Sequence, residues 1–176
     1  MATVASGVYF IKAFAALTVL TLFNGSSHSG TIVQGDAKRD LTDPSVISQL
    51  WVVAQVHGTS LYTIENAQGG TFLDLLGGSN ASATPVVGNS QSGTSVQQWS
   101  FMPTSANTTY TIVNSATSTV IDLYAGCAPH IRRAFESSAD PVMASDQRGT
   151  ADGAAVNGWE YLGPTNTNQV WDLVPI

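Results

Sequence analysis

Gln49-Leu50-Trp51, Gln97-Gln98-Trp99 and Gln169-Val170-Trp171 repeat one pattern: glutamine, any residue, tryptophan. Each closes a segment that opens on Tyr-x-Ile, at Tyr9-Phe10-Ile11, Tyr62-Thr63-Ile64 and Tyr110-Thr111-Ile112. Twelve residues beyond each tyrosine stands the centre of a Leu/Ile-x-Leu triplet: Leu20-Thr21-Leu22, Leu73-Asp74-Leu75 and Ile121-Asp122-Leu123. Three signatures held in one register three times mark an internal triplication. The repeats run from about residue 7 to 57, 58 to 104 and 105 to 176, within a single domain over residues 1–176.

The third repeat is the longest. From the centre of the triplet to the next glycine in register takes 14 steps in the first two repeats (Thr21 to Gly35, Asp74 to Gly88). It takes 36 in the third (Asp122 to Gly158), so 22 extra residues lie in an insert at about 126–153.

Within each repeat the pattern predicts four short strands. In the second these are Tyr62-Thr63-Ile64, Phe72-Leu73-Asp74-Leu75, Pro85-Val86-Val87-Gly88 and Gln97-Gln98-Trp99-Ser100-Phe101, parted by turns such as Gly77-Gly78-Ser79-Asn80. Alternation sends Leu73 and Leu75 to one sheet face and Asp74 to the other, and likewise Asp122 between Ile121 and Leu123. A buried tryptophan suits a large apolar core, and the glutamine beside it brings a side-chain amide to satisfy nearby backbone.

Composition narrows the function. With 6 Lys and Arg against 12 Asp and Glu the chain carries −6. Nucleic acid and anionic membrane surfaces, which need a basic face, are excluded as partners. The single Cys127 forms no internal disulfide, so stability rests on packing. The apolar run from Phe14 to Phe23 has no basic residue before it and no small-x-small cleavage site after it. It also carries Leu20 and Leu22 of the first repeat, and it is too short to span a bilayer. It reads as structure, which predicts a chain that is cytoplasmic or exported without a cleaved leader.

A threefold Gln-x-Trp closing four-stranded repeats, with Thr71-Phe72-Leu73-Asp74-Leu75-Leu76-Gly77-Gly78 and Thr167-Asn168-Gln169-Val170-Trp171 close to the family pattern, resembles the ricin B-chain type lectins in their fungal single-domain form. The resemblance covers nearly the whole chain except the insert. It implies an all-β fold, the β-trefoil: twelve strands, a six-stranded barrel closed by three hairpins, with pseudo-threefold symmetry. Such closure leaves no free edge strand.

The resemblance also implies a sugar site. A neutral sugar needs fixed acceptors and donors for its hydroxyls and an aromatic face for its C–H surface. In the family these are the Asp of the x-D-x strand, an aromatic on the next strand, an amide two residues before it, and an Asn preceding Gln-x-Trp. The third repeat holds the full set: Asp122 as acceptor, Trp159 to stack, Asn157 beside it, and Asn168 as donor, with Gln169 supporting from behind. The second repeat is a weaker candidate, keeping Asp74 but with Asn89 in place of the ring and Val96 in place of the donor. The first has Thr21, Asp36 and Ser48 at these positions and is expected to be lost.

Other constellations carry less. Pro129 is suited to start a short helix presenting Ile131 and Phe135 on one face. Cys127 and His130 have no second Cys/His pair to complete a metal site. Asp140, Asp146 and Asp152 lie in an Ala/Ser/Gly-rich loop that does not hold two carboxylates at the fixed separation glycoside hydrolysis needs. No G-x-S-x-G elbow, phosphate-cradling glycine loop or H-E-x-x-H occurs. Lys38-Arg39-Asp40 reads as a solvated turn, and Asn24, Asn80 and Asn107 begin glycosylation sequons.

The reading is therefore a non-enzymatic lectin without cofactor or metal. It is expected to bind galactose- or N-acetylgalactosamine-type glycans through the third repeat, with a homodimer supplying avidity. Two alternatives stand beside it: a β-trefoil protease inhibitor acting through an exposed loop, and an interaction subunit with a silent sugar site.

Overall fold

A computed structural model describes residues 4–104, 108–124 and 152–176. Twelve strands follow in order: β1 (Gly7–Ala13), β2 (Thr18–Leu22), β3 (Thr31–Ala37), β4 (Trp51–Gln55), β5 (Tyr62–Asn66), β6 (Phe72–Leu75), β7 (Thr84–Asn89), β8 (Trp99–Pro103), β9 (Thr109–Asn114), β10 (Val120–Leu123), β11 (Ala154–Trp159) and β12 (Trp171–Pro175). Strands β1, β4, β5, β8, β9 and β12 pair antiparallel in a closed ring, the six-stranded barrel. The remaining strands form the hairpins β2–β3, β6–β7 and β10–β11. Pairings β3–β7, β7–β11 and β11–β3 join them into a triangle. This is a β-trefoil of three four-stranded lobes, β1–β4, β5–β8 and β9–β12.

Each sequence signature has one structural job, done three times. Ile11, Ile64 and Ile112 point into the core with the flanking residues of each Leu/Ile-x-Leu triplet. Trp51, Trp99 and Trp171 are completely buried. Their Nε1–H groups donate to the carbonyls of Leu20, Leu73 and Ile121 at 2.9, 3.0 and 3.0 Å. Each ring thereby fills the barrel while its polar edge ties a lobe's last strand to its second.

The register glycines answer to the same symmetry. Leu20 faces Gly35, Leu73 faces Gly88 and Ile121 faces Gly158 across the three hairpins, which is the spacing from which the insert was located.

The strand expected from Gln97 to Phe101 begins only at Trp99, because Ser95–Gln97 is a 3-10 turn, as are Thr167–Gln169 and the longer Pro44–Gln49. In an extended strand, residues two apart share a face. The turn breaks that alternation, so the glutamine bonds a loop while its tryptophan enters the core. The run from Phe14 to Phe23 provides a turn and the wholly buried β2. Among the described residues no helix is long and apolar enough to cross a membrane.

Candidate functional site

The site expected in the third lobe lies on the outer face of the β10–β11 hairpin. Its register pairs Val120 with Trp159, Ile121 with Gly158 and Asp122 with Asn157. Directly opposed residues and residues two apart share a face. Asp122, Asn157 and Trp159 therefore stand together, opposite the face on which Ile121 enters the core. Trp159 is half-buried, unlike the other three tryptophans, which are fully enclosed. Asp122 and Asn157 are only 6% and 3% exposed, so the carboxylate and amide form the floor and the indole the rim.

Gln169 is fully buried beneath them. Its Nε2 donates to Glu160 O at 2.9 Å, its Oε1 accepts from Leu162 N–H at 2.9 Å, and its side chain hydrogen-bonds Asp122. Burial raises the Asp122 carboxyl above its ordinary value, and the hydrogen bond from Gln169 partly opposes that. Gln49 and Gln97 make the same clamp: they donate to Ala37 O and Ser90 O and accept from Arg39 N–H and Ser92 N–H. They also bond the residue at the Asp122 position, Thr21 at 3.2 Å and Asp74 at 3.0 Å. Asn168 is half-exposed in the Thr167–Gln169 turn, whose start is capped by the Asn166 side chain.

The other two lobes use the equivalent positions differently. In the second, Asn89 Nδ2 donates to Asp74 Oδ2 at 3.0 Å, and Asn89 Oδ1 accepts the Gly30 N–H of the first lobe at 2.8 Å. In the first, Asp36 Oδ1 accepts the Gly153 N–H of the third lobe at 2.8 Å and Gln34 Nε2 at 2.8 Å. Asp36 and Asn89 thus bind adjacent lobes together. Trp159, at the same position, has no acceptor to offer the corresponding backbone of the second lobe, that of Ala83. In only one lobe is this position released from the lobe seam and given a ring.

Arg39 departs from the reading of Lys38-Arg39-Asp40 as a solvated turn. Its Nη1 donates to Ser45 O at 3.1 Å and Ser48 Oγ at 3.0 Å, and its Nη2 lies 3.9 Å from Asp36 Oδ2. The guanidinium spans the first-lobe positions matching Trp159 and Asn168. Lys38 Nζ lies 4.2 Å from the centre of the Phe10 ring. The five extra residues between Asp36 and Gln49, relative to the stretch from Asn89 to Gln97, supply this arm.

Tyr124 is a residue that the motif reading missed. Its ring centroid lies 6.3 Å from that of Trp159, with planes at 36°. Alternation from Asp122 would have found it, two residues on and on the same face. Cys127, His130, the short helix expected from Pro129, Asp140, Asp146 and Asn107 lie outside the described residues. Asp152 lies within them and accepts Ala37 N–H at 2.7 Å. Among the described residues no cluster of His, Cys, Asp or Glu is suited to hold a metal ion.

Six barrel strands, three capping hairpins and a Gln-x-Trp closing each lobe define a β-trefoil with threefold internal repetition. A family model described as ricin-type beta-trefoil lectin domain-like matches residues 47–130, and the chain resembles that family in motif and in fold. Among solved structures it is similar to the agglutinin of Rhizoctonia solani (18% identity, TM-score 0.72, covering 100% of this chain and 99% of that one). It is also similar to the ricin B-like lectin of Macrolepiota procera in complex with lactose (20%, TM-score 0.67, 99% and 100%). A designed threefold-symmetric protein, ThreeFoil, matches at 22% identity and a TM-score of 0.73, covering 97% and 99%. Other matched chains are longer, and this chain spans 18% to 50% of their length. No curated protein matches the sequence significantly.

Proposed function

We propose that this protein is a lectin that binds galactose- or N-acetylgalactosamine-type glycans through its third lobe and performs no catalysis. One observation carries the reading. Of three equivalent positions, Asp36 and Asn89 accept a backbone N–H from the adjacent lobe, whereas Trp159 stands half-exposed on the face of Asp122 and Asn157. That is the chemistry of a sugar subsite: an acceptor for two hydroxyls, amides for others, and a ring for the C–H face. Lactose, held by the Macrolepiota procera lectin, presents a terminal galactose and is the natural first probe.

One such site binds weakly. A charged hydrogen-bond pair contributes about 1.5–3 kcal/mol and stacking about 0.5–1.5. After the cost of association this gives a Kd of roughly millimolar to high micromolar. Agglutination would then require a dimer and a multivalent glycan. The test is retention on a galactose-type matrix. Wild-type protein is expected to be retained and Asp122→Ala to run through, while retention of that variant at wild-type strength would defeat the assignment.

A further inference from the structure

The residue after each Leu/Ile-x-Leu triplet is large and apolar in all three lobes: Phe23, Leu76 and Tyr124. Phe23 and Leu76 are 50% and 46% exposed and open 3-10 turns. Tyr124 is less exposed than either and has a ring contact, the tilted one with Trp159. Its N–H donates to Ala155 O at 2.8 Å, carrying the hairpin ladder one residue beyond Leu123 and fixing the backbone under the ring.

The two rings come from opposite ends of the site. Trp159 faces Val120, two residues before Asp122, and Tyr124 comes two residues after it. A sugar held between two aromatic faces needs about 3.5–4 Å on each side, hence near-parallel rings about 7–8 Å apart. Centroids 6.3 Å apart and planes tilted by 36° leave no such slot. The phenol ring instead lies in tilted contact with the indole itself.

The indole also lacks the tether its counterparts have. Asp36 is fixed by Gly153 N–H and Gln34, and Asn89 by Gly30 N–H and Asp74. Trp159 makes no hydrogen bond across the lobe seam among the described residues. We infer that Tyr124 is a positioning residue that takes over this task, holding the indole of Trp159 against one side so that its other face is presented in a fixed orientation. The consequence for glycan affinity rests on the lectin reading; the ring brace does not.

Iodide quenching of tryptophan fluorescence isolates the brace, because Trp51, Trp99 and Trp171 are sealed from solvent and Trp159 is not. Tyr124→Leu reproduces the residue of the second lobe, where it is tolerated in an exposed position. It is expected to raise the quenching constant of the accessible tryptophan and to weaken lactose binding about three- to ten-fold, the range of a lost aromatic pair. Tyr124→Phe keeps the ring and is expected to preserve both. Wild-type quenching in Tyr124→Leu, or equal loss in Tyr124→Phe, would overturn the inference. If the wild-type protein binds no lactose, the lectin reading falls, and the quenching comparison alone decides for or against the brace.

Discussion

Leu22 of the first lobe occupies the space that a side chain at Gly88 of the second would need. A Cβ built on Gly88 would lie 2.8 Å from Leu22 Cδ1 and closer still to Thr71 Oγ1. The relation recurs around the molecule: Leu75 meets Gly158 at 2.6 Å and Leu123 meets Gly35 at 2.7 Å. Each lobe sends the last leucine of its triplet into the gap left by the glycine of the next, and the third returns to the first. The glycine and the leucine are therefore parts of one closed interlock, and they locate each lobe's outer strand against its neighbour.

Gly88→Ala is expected to destabilise the fold by about 1–3 kcal/mol, the usual cost of forcing a methyl into a packed core. Leu22 is fully buried and has no solvent side to retreat to. Chemical denaturation gives the difference, and adding Leu22→Ala relieves the leucine contact while leaving that with the buried Thr71. The double variant is expected to lose less than the sum of the two single changes. Strict additivity would show that the leucine and glycine do not interlock.

Asn89→Ala separates a seam role from a ligand role in the second lobe. The amide joins Gly30 N–H to Asp74, so its loss is expected to lower stability by about 0.5–1.5 kcal/mol. Asp74 Oδ2 keeps its bond from Gln97, which limits the damage. Lactose affinity, measured by calorimetry, is expected to stay at the wild-type value. A drop would show that the second lobe carries part of the binding.

Much of this architecture could be read from the residues, because it is built from local rules applied three times. The position of each aspartate opposite the core leucines follows from alternation, and the spacing from triplet to glycine locates the insert in the third repeat. Of the clamp made by Gln49, Gln97 and Gln169 the sequence shows only an amide near backbone; its partners lie in a loop whose path no spacing encodes. Arg39 departs from its sequence reading because its two neighbours, Lys38 and Asp40, are solvated, while Asp36, Ser45 and Ser48 reach it only after the loop folds back. Alternation from Asp122 puts Tyr124 on the site's face, but not its ring against that of Trp159, which stands opposite Val120, four residues away along the strand. Pairings within a repeat were legible, and side-chain meetings that depend on loop geometry were not.

The four tryptophans are expected to fall into two classes on substitution. Trp99→Ala removes a sealed ring and the donor to Leu73 O, and a loss of about 3–5 kcal/mol or failure to fold is expected. Trp159→Ala empties no core and is expected to change stability by less than about 1 kcal/mol while abolishing measurable lactose binding. Thermal denaturation and a lactose titration on the same samples check both halves. A Trp159→Ala variant as unstable as Trp99→Ala would make the half-exposed indole a packing residue.

Acid is expected to switch the site off sooner than it would a free carboxylate. Burial raises Asp122 above its ordinary value of 3.8, so the folded state takes up this proton at a higher pH than the unfolded chain does. The sign of the linkage follows: the ionised carboxylate is held at some expense to stability at neutral pH, and that expense is relieved as pH falls through the raised folded value. Ligand binding moves the opposite way, because protonation removes one of the two acceptors a pair of hydroxyls requires. Lactose affinity should therefore decline on acidification with a midpoint above 3.8, while this group's own contribution to stability rises over the same interval. Asp122→Asn removes the charge but keeps an oxygen for Gln169. It should bind about ten-fold or more weakly at neutral pH, from the lost charged bond, with no corresponding step in its binding profile. A wild-type profile with the midpoint at or below that of an exposed aspartate would show that Asp122 is not the acceptor.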